Sequence, residues 1–334
     1  MTRKNINKGY GLNYSYLAKV FQKITANITN GIYGKLNSLI IYKKDEKLLE
    51  SYFNGYNNNS LHEFQSVTKS IQAILVGIAL KEKFISSIDL PIKDFFPEYK
   101  HLNWSGGKDK ISIRHLLNMT AGFDWNEGTV PYLSLQNHSN MMAWSEDWIA
   151  FALEKTMLYN PGEKFLYSSA NPILLSAILN KVTGMNHESF AKKYLYNPLD
   201  IRYYNYHRSV FDDKILADVE MCPADMAKIG LLVRNKGVWK GNQVVDTAWI
   251  NEMLNEQTDI QDESDKYGFC WWLQSINYLN KRYNLYYAWG YGSQHIFIIP
   301  EISLVMICTG KNYNINKHSG PFRLLRNEIL PVFV

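Results

Sequence analysis

The sequence predicts an α+β fold: an antiparallel sheet flanked by helices and built from both chain ends, with an all-helical region inserted between them. Three patterns carry this expectation. Residues 37–43 and 48–53 are short apolar runs joined through the polar residues 43–46, a β-hairpin signature. Residues 84–215 read as helices and loops with few strand signals. From Tyr267 onward, residues 267–274, 283–289, 295–299 and 304–308 form successive strand-like runs whose short connections force antiparallel neighbours.

The elements follow in chain order. After the hairpin and a polar Asn57-Asn58-Asn59-Ser60 loop, residues 66–83 are apolar almost all round, as in a helix at the centre of a protein rather than on its surface. Helices are expected at 113–119, 148–155, 172–182 and 188–196. Asn171-Pro172 reads as an N-cap followed by proline at the first helical position. A further helix at 223–235 leads to the strand-rich end, where Pro300-Glu301 turns between the last two strands. A final helix at 321–329 covers one sheet face. The expected division is a discontinuous sheet domain, 1–83 and 236–334, around a helical domain, 84–235, with the active site at their interface.

With 334 residues, 46% of them hydrophobic, the chain is long enough to bury a sizeable core as one large domain or two intimately joined ones. Its 36 basic and 31 acidic residues are spread along the chain without a run that would track phosphates, so no nucleic-acid partner is expected. Cys222, Cys270 and Cys308 follow no metal-ligand spacing and read as buried thiols. Residues 1–23 are basic but lack a leader-like apolar stretch, and the longest apolar run, 71–80, is too short to span a bilayer. The expectation is a soluble, cytoplasmic protein, with an exported form whose leader has been removed as the alternative.

A serine three residues before a lysine occurs three times, as Ser66/Lys69, Ser105/Lys108 and Ser189/Lys192, so the pattern alone decides nothing. Position separates them. Ser105 lies in a Gly106-Gly107 loop and Ser189 on an amphipathic helix, whereas Ser66 begins the buried helix. There its backbone N–H lacks an intrahelical partner and is free to donate to an oxyanion. Lys69 falls on the same face one turn later. Apolar surroundings and the positive end of the helix dipole disfavour the ammonium, leaving the amine able to take the hydroxyl proton. The plain alternative is a serine that only caps the helix beside a lysine that reaches solvent.

The segment Phe64-Gln65-Ser66-Val67-Thr68-Lys69-Ser70 resembles the first motif of the class C β-lactamase-like serine hydrolases, which include penicillin-binding proteins, esterases and amide hydrolases. Further segments agree in order: Ile113-Arg114-His115-Leu116-Leu117 with Thr120-Ala121-Gly122, then Asn160-Pro161-Gly162-Glu163-Lys164-Phe165, Asp225-Met226-Ala227-Lys228 and Tyr291-Gly292-Ser293-Gln294. The resemblance covers roughly residues 35–310 and implies a β-lactamase/transpeptidase-like fold. It places Tyr167-Ser168-Ser169 at the family's second motif, with Ser169 where asparagine is commoner. A phenol, whose ordinary pKa is about 10, would there be drawn down by a cationic Lys69 and move protons to and from Ser66.

At the third motif the sequence departs from the family. Where better-known members carry Lys or His, then Thr or Ser, then Gly, this chain has Ala288-Trp289-Gly290. That removes the usual anchor for a substrate carboxylate. The resemblance leaves the second oxyanion donor as the backbone N–H of Tyr291, with Gly290 and Gly292 allowing close approach of substrate; a bulged strand is the alternative. Trp125, Trp144, Trp148, Trp271 and Trp272 are candidates to line an apolar cleft, and His295 is as well explained by structure.

Competing chemistries lack their signatures. There is no Gly-x-Ser-x-Gly elbow, no His-Glu-x-x-His and no phosphate-cradling glycine loop, so neither metal nor other cofactor is expected. The reaction expected is acyl transfer from a small-molecule ester or amide to water. Ser66, Lys69 and Tyr167 are its catalytic groups, Ser66 and Tyr291 N–H its oxyanion hole, and Ser169, Gly290 and Gly292 contact substrate. The alternative is a penicillin-binding-type sensor that acylates with little turnover.

Overall fold

A computed structural model describes residues 13–208, 216–260, 265–313 and 319–334. Of the basic opening stretch, residues 1–12 lie outside the described ones. Helix α1 (Tyr14–Thr29) buries Leu17, Phe21, Ile24 and Ile28, a four-three-four spacing that places them on one face, and Asn13 caps its start by accepting from the Tyr16 N–H. This helix was not expected from the sequence, although its periodicity is present there.

Strands β1 (Leu36–Lys43) and β2 (Glu46–Tyr52) form the expected hairpin. The short strand β3 (His62–Glu63) precedes α2 (Val67–Lys81), in which every residue from Val67 to Ala79 is buried. Each fully buried Leu, Ile or Val contributes roughly 1.5–3 kcal/mol, so the helix is anchored by its own composition. Gly77 lets the Trp249 ring lie against it, since a Cβ there would come 2.0 Å from that ring.

Helices α3 (Ile113–Leu117), α4 (His138–Ala143), α5 (Trp148–Glu154), α6 (Ala170–Thr183) and α7 (His187–Ala191) follow. Two expectations need correction here. Helix α6 starts at Ala170 with Ser169 as its N-cap, so Asn171 lies inside the helix and donates from Nδ2 to the Leu116 carbonyl at 3.2 Å. Pro172 is thus the third helical residue, where a missing N–H still costs no intrahelical bond. The region is also not purely helical. Strands β4 (Tyr204–Arg208) and β5 (Leu216–Met221) pair with β3 in a three-stranded sheet ordered β3-β5-β4. Their half-polar composition hides them from an apolarity scan.

After α8 (Pro223–Arg234) come β6 (Val238–Trp239), β7 (Asn242–Gln243), α9 (Thr247–Met253) and β8 (Thr258–Asp259). Then follow β9 (Lys266–Tyr267), β10 (Trp272–Tyr278), β11 (Lys281–Gly290), β12 (Gln294–Ile299) and β13 (Leu304–Gly310). The run expected at 267–274 is broken between β9 and β10. Gly268 packs so closely that a Cβ would lie 2.1 Å from the Met253 carbonyl, and Cys270 takes φ +55° with its N–H on the Leu117 carbonyl.

Among the described residues the main sheet is antiparallel in the order β2-β1-β13-β12-β11-β10-β9-β8. The β1–β13 pairing, Leu39 opposite Cys308, closes the sheet from both chain ends as expected. One face packs on α1 and on α10 (Ser319–Leu324) with the turns that follow it, through Leu17, Ile24, Phe297, Leu325 and Ile329. The other face meets α2 and α8 and continues into the helical region through Ile71, Ile74, Ile229, Ile296 and Ile307. All three cysteines are free and buried. No helix among the described residues is long and apolar enough to cross a membrane.

Candidate active site

Between β3 and α2 the chain turns through Phe64 and Gln65. Gln65 holds φ +52°, a left-handed conformation that costs a non-glycine residue about 1–2 kcal/mol. Two neighbours fix it. Its N–H donates to Asp218 Oδ2 at 2.9 Å, and Gly290 backs the turn so closely that a Cβ there would lie 2.2 Å from the Phe64 carbonyl oxygen. Ser66 then opens α2 without a side-chain cap bond. Instead its Oγ accepts from Lys69 Nζ at 2.8 Å, and among the described residues nothing accepts its backbone N–H. Lys69 is only 8% exposed, so the amine faces Ser66 rather than solvent.

Tyr167 completes the group. Its ring centroid lies 5.1 Å from Lys69 Nζ, the ring stacks on Trp272, and the Ser66 hydroxyl is near enough to favour the ionised phenol. Burial, and then the charge of Glu127, push the phenol well above its ordinary value; only the nearby Ser66 hydroxyl opposes them. This is the reverse of the direction expected, because desolvation beside a buried carboxylate dominates. At rest Tyr167 is therefore a proton donor.

Glu127, which the sequence did not single out, is 2% exposed. Its Oε2 accepts from Trp125 Nε1 and the Ser169 N–H, both at 2.7 Å, and its Oε1 from Ser169 Oγ at 2.8 Å and the Tyr132 hydroxyl at 3.2 Å. The Ser169 hydroxyl is thus committed to Glu127 even though Ser169 lines the cleft. Glu127 and Ser169 are 42 residues apart, and no local spacing signals their pairing.

The third segment ends β11 at Gly290, opposite Gln294. Buried Gln294 donates from Nε2 to the Gly310 carbonyl at 2.8 Å, and Asn312 Nδ2 donates to Ser293 Oγ at 3.0 Å, which fixes the turn that presents Tyr291. Gly292 holds φ +87°, and a Cβ there would come 2.6 Å from the Tyr313 ring. Tyr291 lines the cleft, whereas Gly290 and Gly292 shape the backbone around it. Gly290→Ala is expected to displace the Phe64–Ser66 turn and lower the turnover of any reaction that uses Ser66 by about 10²-fold, since a misplacement near 1 Å costs that much. Steady-state kinetics on the folded variant check this.

Beside these groups lies a cleft of about 410 Å³, whose lining does not include Tyr167. Ser66, Lys69, Ser169 and Tyr291 lie along it, Met142, Ala143, Trp148, Pro172 and Ile173 give it apolar lining, and Glu63, His207 and Asp218 give it polar lining. Of the tryptophans considered, only Trp148 lines the cleft. Trp125 and Trp271 are core, Trp144 is exposed, and Trp272 supports Tyr167. His295 is buried and stacked on Phe297. Glu63, His207 and Glu220 bring ligand-type atoms within 4.8 Å of one another, but His207 pairs with Glu220 at 3.1 Å and Gln65 Nε2 donates to Glu63 at 2.9 Å. Those mutual contacts account for the grouping. The competing lysine of the second Ser-x-x-Lys pair, Lys108, is buried and donates to the Leu153 carbonyl at 2.5 Å, with no part in the cleft.

Comparison with known proteins adds the relationship. The sequence pattern of the family described as Beta-lactamase matches residues 30–316. A 6-aminohexanoate-dimer hydrolase of Paenarthrobacter ureafaciens is 25% identical over 235 residues, covering 65% of this chain and 57% of that protein. The match thus spans less than two thirds of that relative's length. Among solved structures, EstCE1, a hydrolase with promiscuous acyltransferase activity, superposes with a TM-score of 0.72 at 15% identity, covering 95% of this chain and 99% of its own. A D-stereospecific amidohydrolase of Streptomyces sp. gives 0.70 at 14% identity, covering 93% and 98%. At those identities the structures speak for the fold.

Proposed function

The chain belongs to the Beta-lactamase family, and from that premise we propose that it is a serine hydrolase cleaving an ester or amide through an acyl-enzyme on Ser66. The observation that carries this reading is the 2.8 Å contact between Lys69 Nζ and Ser66 Oγ on the lining of a cleft, with the Tyr167 ring 5.1 Å from the same Lys69 Nζ. Lys69 takes the Ser66 proton while Oγ bonds to the substrate carbonyl carbon. The N–H groups of Ser66 and Tyr291 hold the oxyanion. Tyr167, protonated at rest, donates to the departing oxygen or nitrogen and is recharged from Lys69. Water then attacks the acyl-enzyme by the reverse proton path and releases the acid.

The substrate reading is an ester or amide without a carboxylate beside the scissile bond. Ala288 is fully buried and Trp289 is paired across from His295, so neither a cation nor a hydroxyl stands where the family's anchor would be. The apolar lining of Met142, Trp148 and Ile173 suits an apolar acyl group. A relative named 6-aminohexanoate-dimer hydrolase supports hydrolase chemistry on such a substrate.

A charge-assisted hydrogen bond contributes about 1.5–3 kcal/mol. Neutral p-nitrophenyl esters are therefore expected to exceed nitrocefin and matched carboxylate-bearing esters by at least about tenfold in kcat/KM. Parallel steady-state assays check this, and comparable turnover of nitrocefin contradicts it. A stoichiometric burst followed by silence on every ester would turn the reading toward a sensor that acylates without turnover.

A further inference from the structure

We propose that Asp218 is a positioning residue for the nucleophile, clamping the Gln65–Thr68 turn from the small sheet so that Ser66 is held at the mouth of α2. The proposal rests on the reading of Ser66 as nucleophile. Asp218 lies on β5, far in sequence from the turn it holds. Its Oδ2 takes the Gln65 N–H at 2.9 Å, and its Oδ1 takes the Thr68 hydroxyl. The two bonds bracket Ser66 from the residue before it and the residue two after it.

The clamp is doubled through its neighbours. The Phe64 N–H donates to the Val219 carbonyl at 3.0 Å, and the Val219 N–H donates to Asp218 Oδ1 at 2.7 Å. Opposite, Gly290 of the main sheet presses on the same turn. Ser66 is therefore gripped between two sheets, and Asp218 is the side chain that ties the smaller one to it. Without the clamp, the left-handed Gln65 backbone has one fewer reason to stay in a conformation that non-glycine residues avoid.

The carboxyl is a costly device, as a group kept for function is expected to be. Burial raises it to about 7, against the hydrogen bonds from Thr68, Val219 and Gln65 and the charge of His207 that favour its ionised form. A group whose folded value exceeds its unfolded one favours folding most at pH below the unfolded value, and that contribution is lost as the pH rises through 7. At neutral pH the charge is thus held at the expense of stability. Asp218 also lines the cleft, so a substrate contact is the rival role, and kinetics separate the two.

The test compares wild type, Asp218→Asn, Asp218→Ala, Thr68→Val and Thr68→Ser for fluorophosphonate labelling rate and for kcat and KM on p-nitrophenyl butyrate. Positioning predicts that Asp218→Ala and Thr68→Val lower both the labelling rate and kcat by about 10- to 100-fold, with KM changed less than about twofold. Asp218→Asn, which keeps an acceptor, falls between, and Thr68→Ser restores the rate lost in Thr68→Val. If Asp218→Ala does not fold, the Thr68 pair decides. Wild-type labelling rates in Asp218→Asn and Thr68→Val overturn the proposal, as does a raised KM at unchanged kcat, which would make Asp218 a substrate contact. A wild type that takes no label overturns the nucleophile itself.

Discussion

Replacing Ser66 by alanine is expected to lower ester hydrolysis by about 10³- to 10⁶-fold, because removing the nucleophile leaves only binding and the oxyanion donors. The fold should not follow. The Ser66 hydroxyl makes no cap bond to α2, and the helix is held by its buried residues from Val67 to Ala79 and by the Asp218 and Gly290 contacts on the preceding turn. The melting temperature of Ser66→Ala is therefore expected to match wild type or exceed it slightly. Steady-state rates with p-nitrophenyl butyrate, measured beside a thermal melt, check both halves. Activity retained within about tenfold of wild type would remove Ser66 from the chemistry.

Lys69→Met carries the second large effect. It keeps a flexible apolar stem of similar length and removes the amine that touches Ser66 Oγ at 2.8 Å. General-base contributions run to about 10²–10⁴, so kcat is expected to fall by about 10³-fold with KM little changed. A buried amine is expensive to desolvate, so methionine in a site 8% exposed should leave stability unchanged or raise it. Lys69→Arg separates base from charge. Guanidinium does not give up its proton at accessible pH, so Arg should rescue little if Lys69 moves the proton and much if it supplies only a positive field. Rate measurements on the two variants across pH 6 to pH 9 read this directly.

How much of this was legible beforehand depends on how far apart in sequence the partners lie. Ser66 and Lys69 share a helix face by spacing, and the buried character of that helix is plain from residues 71–80, so the centre of the site could be read locally. The sheet from both chain ends was legible too, because β1 and the last strands are continuous apolar runs buried on both faces. Glu127 and Asp218 were not. Glu127 meets Ser169 across 42 residues and Asp218 meets Gln65 across 153, and a single carboxylate carries no mark of being buried. The direction of the Tyr167 shift was not legible either, since it is set first by burial and then by Glu127. Strands β4 and β5 escaped because half-polar alternation resembles loop composition, and the α6 cap was misplaced because Asn-Pro is a strong local signal that Ser169 overrides.

The claim that Ser66 is the nucleophile is tested most directly by treating the protein with a fluorophosphonate and mapping the adduct by mass spectrometry of the intact chain and its peptides. One adduct per chain is expected on the peptide that contains Ser66, and none on Ser66→Ala. An adduct on another serine, or hydrolysis that continues at the wild-type rate with Ser66 unmodified, would contradict it.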